Sequence, residues 1–229
     1  MNRVIIQSST LQFLKKLEVN NNREWFLANK HLYDRAQENM LEFTEAVLSA
    51  LNKHDEIATE SPKRALHRIY TDTRFHKNRP PYNPRFAGGF ARVKPYLRGG
   101  YTFSIRPGRS RVACGFFNPN PDDLKRIRMD IASEHATWKK LLKGKKLQST
   151  YGTITGSTVA TAPKGFPKDH AAIELLRLKQ FIFRRTFSDK EVVSAEFAAM
   201  INESYKNIRP FFDHMSEVLT TNLNGELIV

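Results

Sequence analysis

Residues 101–117 read YTFSIRPGRSRVACGFF and carry the clearest secondary-structure signal in the chain. Tyr101, Phe103 and Ile105 alternate with small or polar residues, and in a strand every second side chain faces the same side. A Pro-Gly pair then supplies a turn, and the alternation resumes at Val112. The stretch therefore predicts a β-hairpin.

The sequence before and after this hairpin predicts helices. Residues 8–17 have Ser/Thr caps and leucines at helical spacing, and residues 23–53 carry apolar side chains at every third or fourth position. Helical signals return at residues 118–135 and 170–183, and again after a capping box at Ser188–Glu191. Helices at both ends and strands in the middle predict an α+β fold with a central antiparallel sheet, within roughly residues 66–117, flanked by N- and C-terminal helices.

Length and composition favour one domain over residues 1–229 in a soluble, cytoplasmic protein. No apolar run approaches the ~18 residues of a membrane span, and the N-terminus has no secretory leader pattern, so we expect no membrane partner. Cys114 is the single cysteine, which excludes an internal disulfide. Its place inside a predicted strand indicates a small core residue.

The positive charge is concentrated in one segment. The chain has a formal net charge of +14, and residues 60–111 contain thirteen Lys and Arg but only two acids, Glu60 and Asp72. Such a field attracts polyanions and phosphorylated ligands. Ten of the thirteen are arginines, whose planar fork suits carboxylate and phosphate groups. The alternative is a surface that serves solubility alone.

Residues 68–86, RIYTDTRFHKNRPPYNPRF, lie inside this basic segment. If the stretch begins as a strand, Arg68, Tyr70, Asp72 and Arg74 share one face. Asp72 can then orient the two arginines, which can still offer bidentate hydrogen bonds to a ligand oxyanion. The alternative is a structural ladder of ion pairs.

Three prolines stiffen the second half of this stretch, because each fixes φ and keeps the preceding residue extended. A stiff loop loses little entropy when a ligand binds. Lys77 and Tyr82 are expected to close an anion site formed by Arg68 and Arg74. The alternative is a proline-stiffened connection whose tyrosine covers the core.

Residues 164–181, KGFPKDHAAIELLRLKQF, are a second candidate. A helix beginning near Asp169 would expose N–H groups that can bind an anion, with charge added by Lys164 and Lys168. Asp169 opposes this, because its carboxylate can occupy those donors itself. Asp169 and His170 are candidate acids or bases.

No catalytic motif accompanies these stretches. The seven histidines form no HxxxH or HExxH pair, and no GxSxG, GxxxxGK[ST] or GxGxxG motif occurs, so the sequence predicts neither a metal site nor a cofactor. The candidate catalytic residues are Asp72, Asp169 and His170, and whether the protein is an enzyme stays open.

Four blocks of the chain resemble a known family, domain of unknown function 2461. They are NNNREWF (20–26), RIYTDTRFHKNRPPY (68–82), the hairpin with its continuation (101–108 and 115–128) and residues 164–181. The resemblance implies one domain and family membership, and it implies no activity. The family's stretch is closer to RFSKDKTPYK, from which His76, Asn78 and Asn83 depart, so the resemblance lends no support to a catalytic role for His76.

Three functions fit the sequence. The favoured one is a pocket for a phosphate- or carboxylate-bearing small molecule, bound by a ligand set shared between the two candidate stretches: Arg68, Tyr70, Arg74, Lys77, Tyr82 and Lys168. The second is a nucleic-acid-binding module that uses the basic surface of residues 60–111, with Tyr70, Tyr82, Tyr96 or Tyr101 for stacking. The third is an adaptor for an acidic protein partner. The oligomeric state stays open.

Overall fold

The computed structural model describes residues 4–72, 79–222 and 225–228 and has the predicted α+β fold. The strands are β1 (Phe86–Ala91), β2 (Gly100–Ile105), β3 (Ser110–Phe116) and β4 (Phe181–Phe187). The helices in the first half of the chain are α1 (Ser8–Val19), α2 (Arg23–Ala28), α3 (Lys30–Leu51) and α4 (Pro62–Ala65). Those that follow the hairpin are α5 (Pro121–Ser133), α6 (His135–Leu142), α7 (Lys145–Tyr151), α8 (Ile173–Leu176), α9 (Asp189–Val192), α10 (Phe197–Asn207) and α11 (Arg209–Thr220).

The sheet is antiparallel with strand order β1-β2-β3-β4, and the predicted hairpin is its centre. Tyr101, Phe103 and Ile105 of β2 are buried. Gly108 has φ +68° in the turn between β2 and β3, a conformation that favours glycine. The local alternation and the turn chemistry agree here, and the prediction is confirmed.

The helix predicted over residues 170–183 is wrong. Only α8, four residues long, is helical there, and residues 181–187 form β4. Phe181, Phe183 and Phe187 are buried, whereas Arg184 is exposed, which is the two-residue period of a strand. The backbone of Thr155 covers the outer edge of β4 by exchanging two 2.8 Å hydrogen bonds with Ile182.

Two further predictions need correction. The single long helix expected over residues 23–53 is divided at Asn29 into α2 and α3, and Asn22 caps α2 by accepting a hydrogen bond from the Trp25 N–H. Residues 66–72 form isolated bridges, Leu66 with Gly88 and Tyr70 with Tyr82, instead of a continuous strand.

The chain divides into two compact units, and one domain over residues 1–229 stays a prediction. The first unit comprises Met1–Phe90, Thr102–Val112 and Thr186–Glu203. In it α1 packs against α3, and the ring of Phe13 in α1 lies 6.0 Å from that of Tyr33 in α3. Leu14, Met40 and Phe43 on these helices are also buried. Buried Asn39 completes this interface, since its side chain bonds the Thr10 hydroxyl and the backbone at Ile5 and Gln7.

The second unit comprises Ala91–Tyr101, Ala113–Arg185 and Ser204–Val229. Its core is aromatic and is built around Trp138, Phe181, Phe183, Phe211 and Phe212, all less than 2% exposed. Cys114 is fully buried there, as predicted for a small core residue. Burial raises the pKa of its thiol to about 12 despite a contact with the Tyr151 hydroxyl, which excludes a reactive thiolate near neutral pH.

Candidate functional site

An aromatic cluster in the first unit unites two of the sequence blocks. The rings of Phe26 and Tyr82 are stacked with centroids 4.0 Å apart and planes 14° apart. Tyr33 packs on Phe26 at 5.2 Å, and Tyr70 meets Tyr82 at 5.5 Å. Tyr33 and Tyr82 are buried, but Tyr70 is 50% exposed. The cluster therefore places one tyrosine at the surface on a floor of buried rings.

Backbone hydrogen bonds hold the residues that present this tyrosine. Residues 69–71 and 81–83 pair as antiparallel backbone, with Thr71 N–H to Pro81 O at 2.9 Å and Asn83 N–H to Ile69 O at 2.7 Å. The Asn21 side chain clamps Tyr82 from the other side, donating to its carbonyl at 2.8 Å and accepting from its N–H at 3.1 Å. The stiffness that the prolines predict is thus reinforced by tertiary contacts.

The Tyr70 ring lies near both other tyrosine rings of this cluster, with centroids 6.5 Å from Tyr33 and 5.5 Å from Tyr82. Burial, followed by the neighbouring Tyr70 and Asp34, raises the pKa of Tyr33 to about 12. Burial and Tyr70 also raise the pKa of Tyr82, and the Arg23 guanidinium opposes that rise. No hydrogen bond joins any of the three hydroxyls to another residue that the structure describes. The raised pKa values keep the hydroxyls of Tyr33 and Tyr82 neutral near pH 7, so both can act as hydrogen-bond donors.

The raised pKa of Tyr33 makes a testable prediction about alkaline stability. Its folded pKa of about 12 exceeds the ordinary 10.0, so its contribution is present below pH 10.0 and is lost as the pH rises toward 12. Tyr33→Phe should flatten the alkaline loss of stability by roughly 1.4 kcal/mol per pH unit. Urea unfolding at several alkaline pH values measures this. Tyr96→Phe, at a 53% exposed tyrosine, is the control that should keep the wild-type slope.

Exposed basic residues lie close in sequence to Tyr70 and Tyr82. Arg68, Tyr70 and Asp72 are exposed while Ile69 between them is buried, so the predicted sharing of one face holds for these residues. The other exposed basic residues of the segment in the first unit are Lys63, Arg64, Arg79, Arg85, Arg109 and Arg111. Two predicted site residues, Arg74 and Lys77, lie outside the described residues together with His76.

Part of the basic segment is structural. Arg92 is fully buried and reaches Asp213 at 3.2 Å, Arg98 is paired with Asp123, and Arg106 contacts Glu18 at 2.6 Å. All three acids lie outside residues 60–111, which is why counting charges within that window overstates the free positive charge. The sequence offers no local signal for these pairs.

The nucleic-acid hypothesis also loses two of its stacking residues. Tyr82 and Tyr101 are buried, at 6% and 1% exposure, so neither can stack on a base at an open surface. Tyr70 and Tyr96 are exposed, and they belong to different units. Of the four tyrosines expected to be available for stacking, Tyr70 and Tyr96 thus remain, and the nucleic-acid alternative stays a prediction.

The second candidate stretch lies in the second unit and differs from its prediction. Lys168 and Asp169 are exposed, and the four-residue helix α8 starts only at Ile173, with Ala172 as its N-cap and no side-chain cap. Half-buried His170 accepts the Ala172 N–H on its Nδ1 at 3.0 Å. His170 therefore shapes the turn before α8, and no long helix presents N–H groups to an anion here.

A polar cluster that the sequence does not reveal lies among α5, α6 and α11 of the second unit. Asp130 accepts the Trp138 indole N–H at 2.6 Å and faces His214 Nε2 at 3.3 Å. Burial would raise the pKa of Asp130, but hydrogen bonds from His214 and Trp138 and the charge on His214 outweigh it and lower the pKa. Because Trp138 is fully buried, its N–H requires an acceptor, and this explains the cluster structurally.

The four-stranded antiparallel sheet and the helices around it define an α+β protein. The family described as conserved hypothetical protein DUF2461 matches residues 9–214, and the chain belongs to this family. No curated protein and no solved structure shows a significant match.

None of the helices that the structure describes is long and apolar enough to cross a membrane. Across the described residues, no three His, Cys, Asp or Glu side chains are grouped to hold a metal ion.

Proposed function

We propose that the protein binds a small phosphate- or carboxylate-bearing ligand at the tyrosine cluster of the first unit, defined by Tyr33, Tyr70 and Tyr82 with Arg23 and Arg68. The observation that carries the proposal is the packing of three tyrosine rings with Phe26 in one cluster, in which Tyr70 remains 50% exposed. Neutral hydroxyls donate hydrogen bonds to an oxyanion without a proton transfer. Arg23 and Arg68 supply the charge that makes such hydrogen bonds strong.

The site favours a small ligand over an extended polyanion. The hydroxyls of Tyr33 and Tyr82 belong to rings that are almost completely buried, so they offer donors at one place instead of along a surface. Three arginines of the segment, Arg92, Arg98 and Arg106, are already paired with acidic side chains, which lowers the charge left for a polyanion. Asp72, exposed beside Tyr70, can orient Arg68 as expected from the sequence.

Isothermal titration with inorganic phosphate, pyrophosphate and citrate tests the proposal. We expect binding of at least one of them and a loss of about tenfold or more in affinity in Arg68→Ala and in Tyr70→Phe. This follows because a hydrogen bond to a charged group contributes about 1.5–3 kcal/mol. A free ligand concentration of 100 times the dissociation constant should also raise the free energy of unfolding by about 2.7 kcal/mol.

Matched variants separate a site from a general charge effect. Arg85→Ala removes an exposed arginine of the same segment, and Tyr96→Phe removes the hydroxyl of a comparably exposed tyrosine. Both should retain wild-type affinity. Equal weakening by Arg68→Ala and Arg85→Ala would refute a defined site, as would the absence of binding to all three anions. Single-stranded DNA and RNA titrated at about 50 and 200 mM salt test the polyanion reading, since contacts with many phosphates lose orders of magnitude in affinity over that range.

A further inference from the structure

Tyr70 differs from the other two tyrosines of the cluster in what its ring does. Tyr33 and Tyr82 are buried, at 7% and 6% exposure, so their rings offer no open surface. The Tyr70 ring packs against three rings, with centroids 5.8 Å from Phe26, 5.5 Å from Tyr82 and 6.5 Å from Tyr33. The Tyr70 residue is nevertheless 50% exposed. An oxyanion would use the hydroxyl and would leave this ring surface uncovered.

The exposed ring is also fixed in place. Tyr70 and Tyr82 form a backbone bridge, and the hydrogen bonds of Thr71 and Asn83 flank it on both sides. A tyrosine that is already held by neighbouring rings and by a backbone bridge loses little conformational entropy when a planar group packs against it. Exposed Arg68, two residues away, adds a cation within the same segment. A fixed aromatic surface beside cations is the combination that binds a planar ring joined to a phosphate.

We infer that the ligand is a nucleotide, whose base stacks on the exposed part of the Tyr70 ring and whose phosphate is held by the hydroxyls of Tyr33, Tyr70 and Tyr82 with Arg23 and Arg68. The inference rests on the proposed anion site and adds the second half of the ligand. A free nucleotide and the terminal nucleotide of a single strand share this chemistry.

The test compares AMP with ribose 5-phosphate, which carries the same sugar phosphate without the base. Stacking of a base on an aromatic side chain supplies about five- to 100-fold in affinity, so we expect AMP to bind tighter by that factor. Tyr70→Phe and Tyr70→Leu both lack the hydroxyl, and only the first keeps the ring. Tyr70→Phe should preserve the preference for AMP, and Tyr70→Leu should abolish it while still binding inorganic phosphate. Tyr96→Leu is the control that should behave as wild type.

The outcomes separate this inference from the proposed function. Equal affinity for AMP and ribose 5-phosphate would overturn the nucleotide assignment and leave the anion site standing, whereas the absence of binding to any of the phosphates would overturn both. A 5′-phosphorylated single strand that binds like AMP indicates a free nucleotide as the ligand. A strand that binds at least tenfold tighter, with the loss still caused by Tyr70→Leu, indicates a strand end.

Discussion

Replacing Arg92 with alanine is expected to lower the free energy of unfolding by about 2–5 kcal/mol, the range for truncating a large buried side chain. Its side chain is fully buried, and its guanidinium lies 5.2 Å from the centre of the Phe212 ring. It donates to the Arg98 carbonyl at 2.9 Å and to the Ser216 hydroxyl at 3.3 Å, both of which would lose this donor. Thermal unfolding should show a fall of roughly 4–20 °C for a chain of this size.

Further variants show which part of Arg92 matters. Asp213 is half exposed and also lies 3.4 Å from Arg209, so Asp213→Asn should cost less than about 1 kcal/mol. Arg92→Lys keeps the charge but loses the planar fork, and it should stay clearly destabilised. Arg85→Ala, at an exposed arginine of the same segment, should change stability by no more than about 0.5 kcal/mol. An Arg92→Ala protein as stable as Arg85→Ala would show that Arg92 is not structural.

The fold could be predicted from the sequence where the signal is local. The hairpin around Gly108, the Asn22 cap and the capping box at Ser188–Glu191 each depend on residues a few positions apart, and all three are present. Strand β4 could not be predicted in this way. The apolar residues at the start of β4 fit the helical period that begins in α8, so the local pattern predicts one helix through both. The pairing of β4 with β3, which is distant in the sequence, decides for a strand.

The candidate site likewise contains residues that a local sequence pattern indicates and residues that only tertiary packing brings in. Tyr70 and Tyr82 stand out from the charge and proline pattern of residues 68–86, because both belong to one short stretch. Tyr33 reads as one more apolar position of a helix, and only packing against Phe26 and Tyr70 brings its hydroxyl into the cluster. The charged partners of Arg92 and Asp130, Asp213 and His214, are likewise far away in the sequence, so a count of local charge cannot identify them.

Replacing Asp130 with alanine is expected to lower the free energy of unfolding by about 2–4 kcal/mol, because it removes the acceptor of the buried Trp138 N–H and the carboxylate beside His214. The Trp138 N–H would lose its 2.6 Å bond inside the core, and His214 Nε2 would lose the carboxylate it faces. Asp130→Asn keeps an oxygen for Trp138 and should cost less. Lys125→Ala, on the exposed side of α5, is the control and should stay within about 0.5 kcal/mol of wild type.

The pH dependence separates the charge of Asp130 from its role as an acceptor. Its folded pKa lies below the ordinary 3.8, so the stability that its charge contributes is present above pH 3.8 and is lost as the pH falls through the folded value. Chemical unfolding of wild type and Asp130→Asn at pH values between about 6 and 2.5 should show a stability difference that shrinks below pH 3.8. A difference that stays constant over this range would contradict a lowered folded pKa and would mean that neither the Trp138 hydrogen bond nor His214 stabilises the charged form of Asp130.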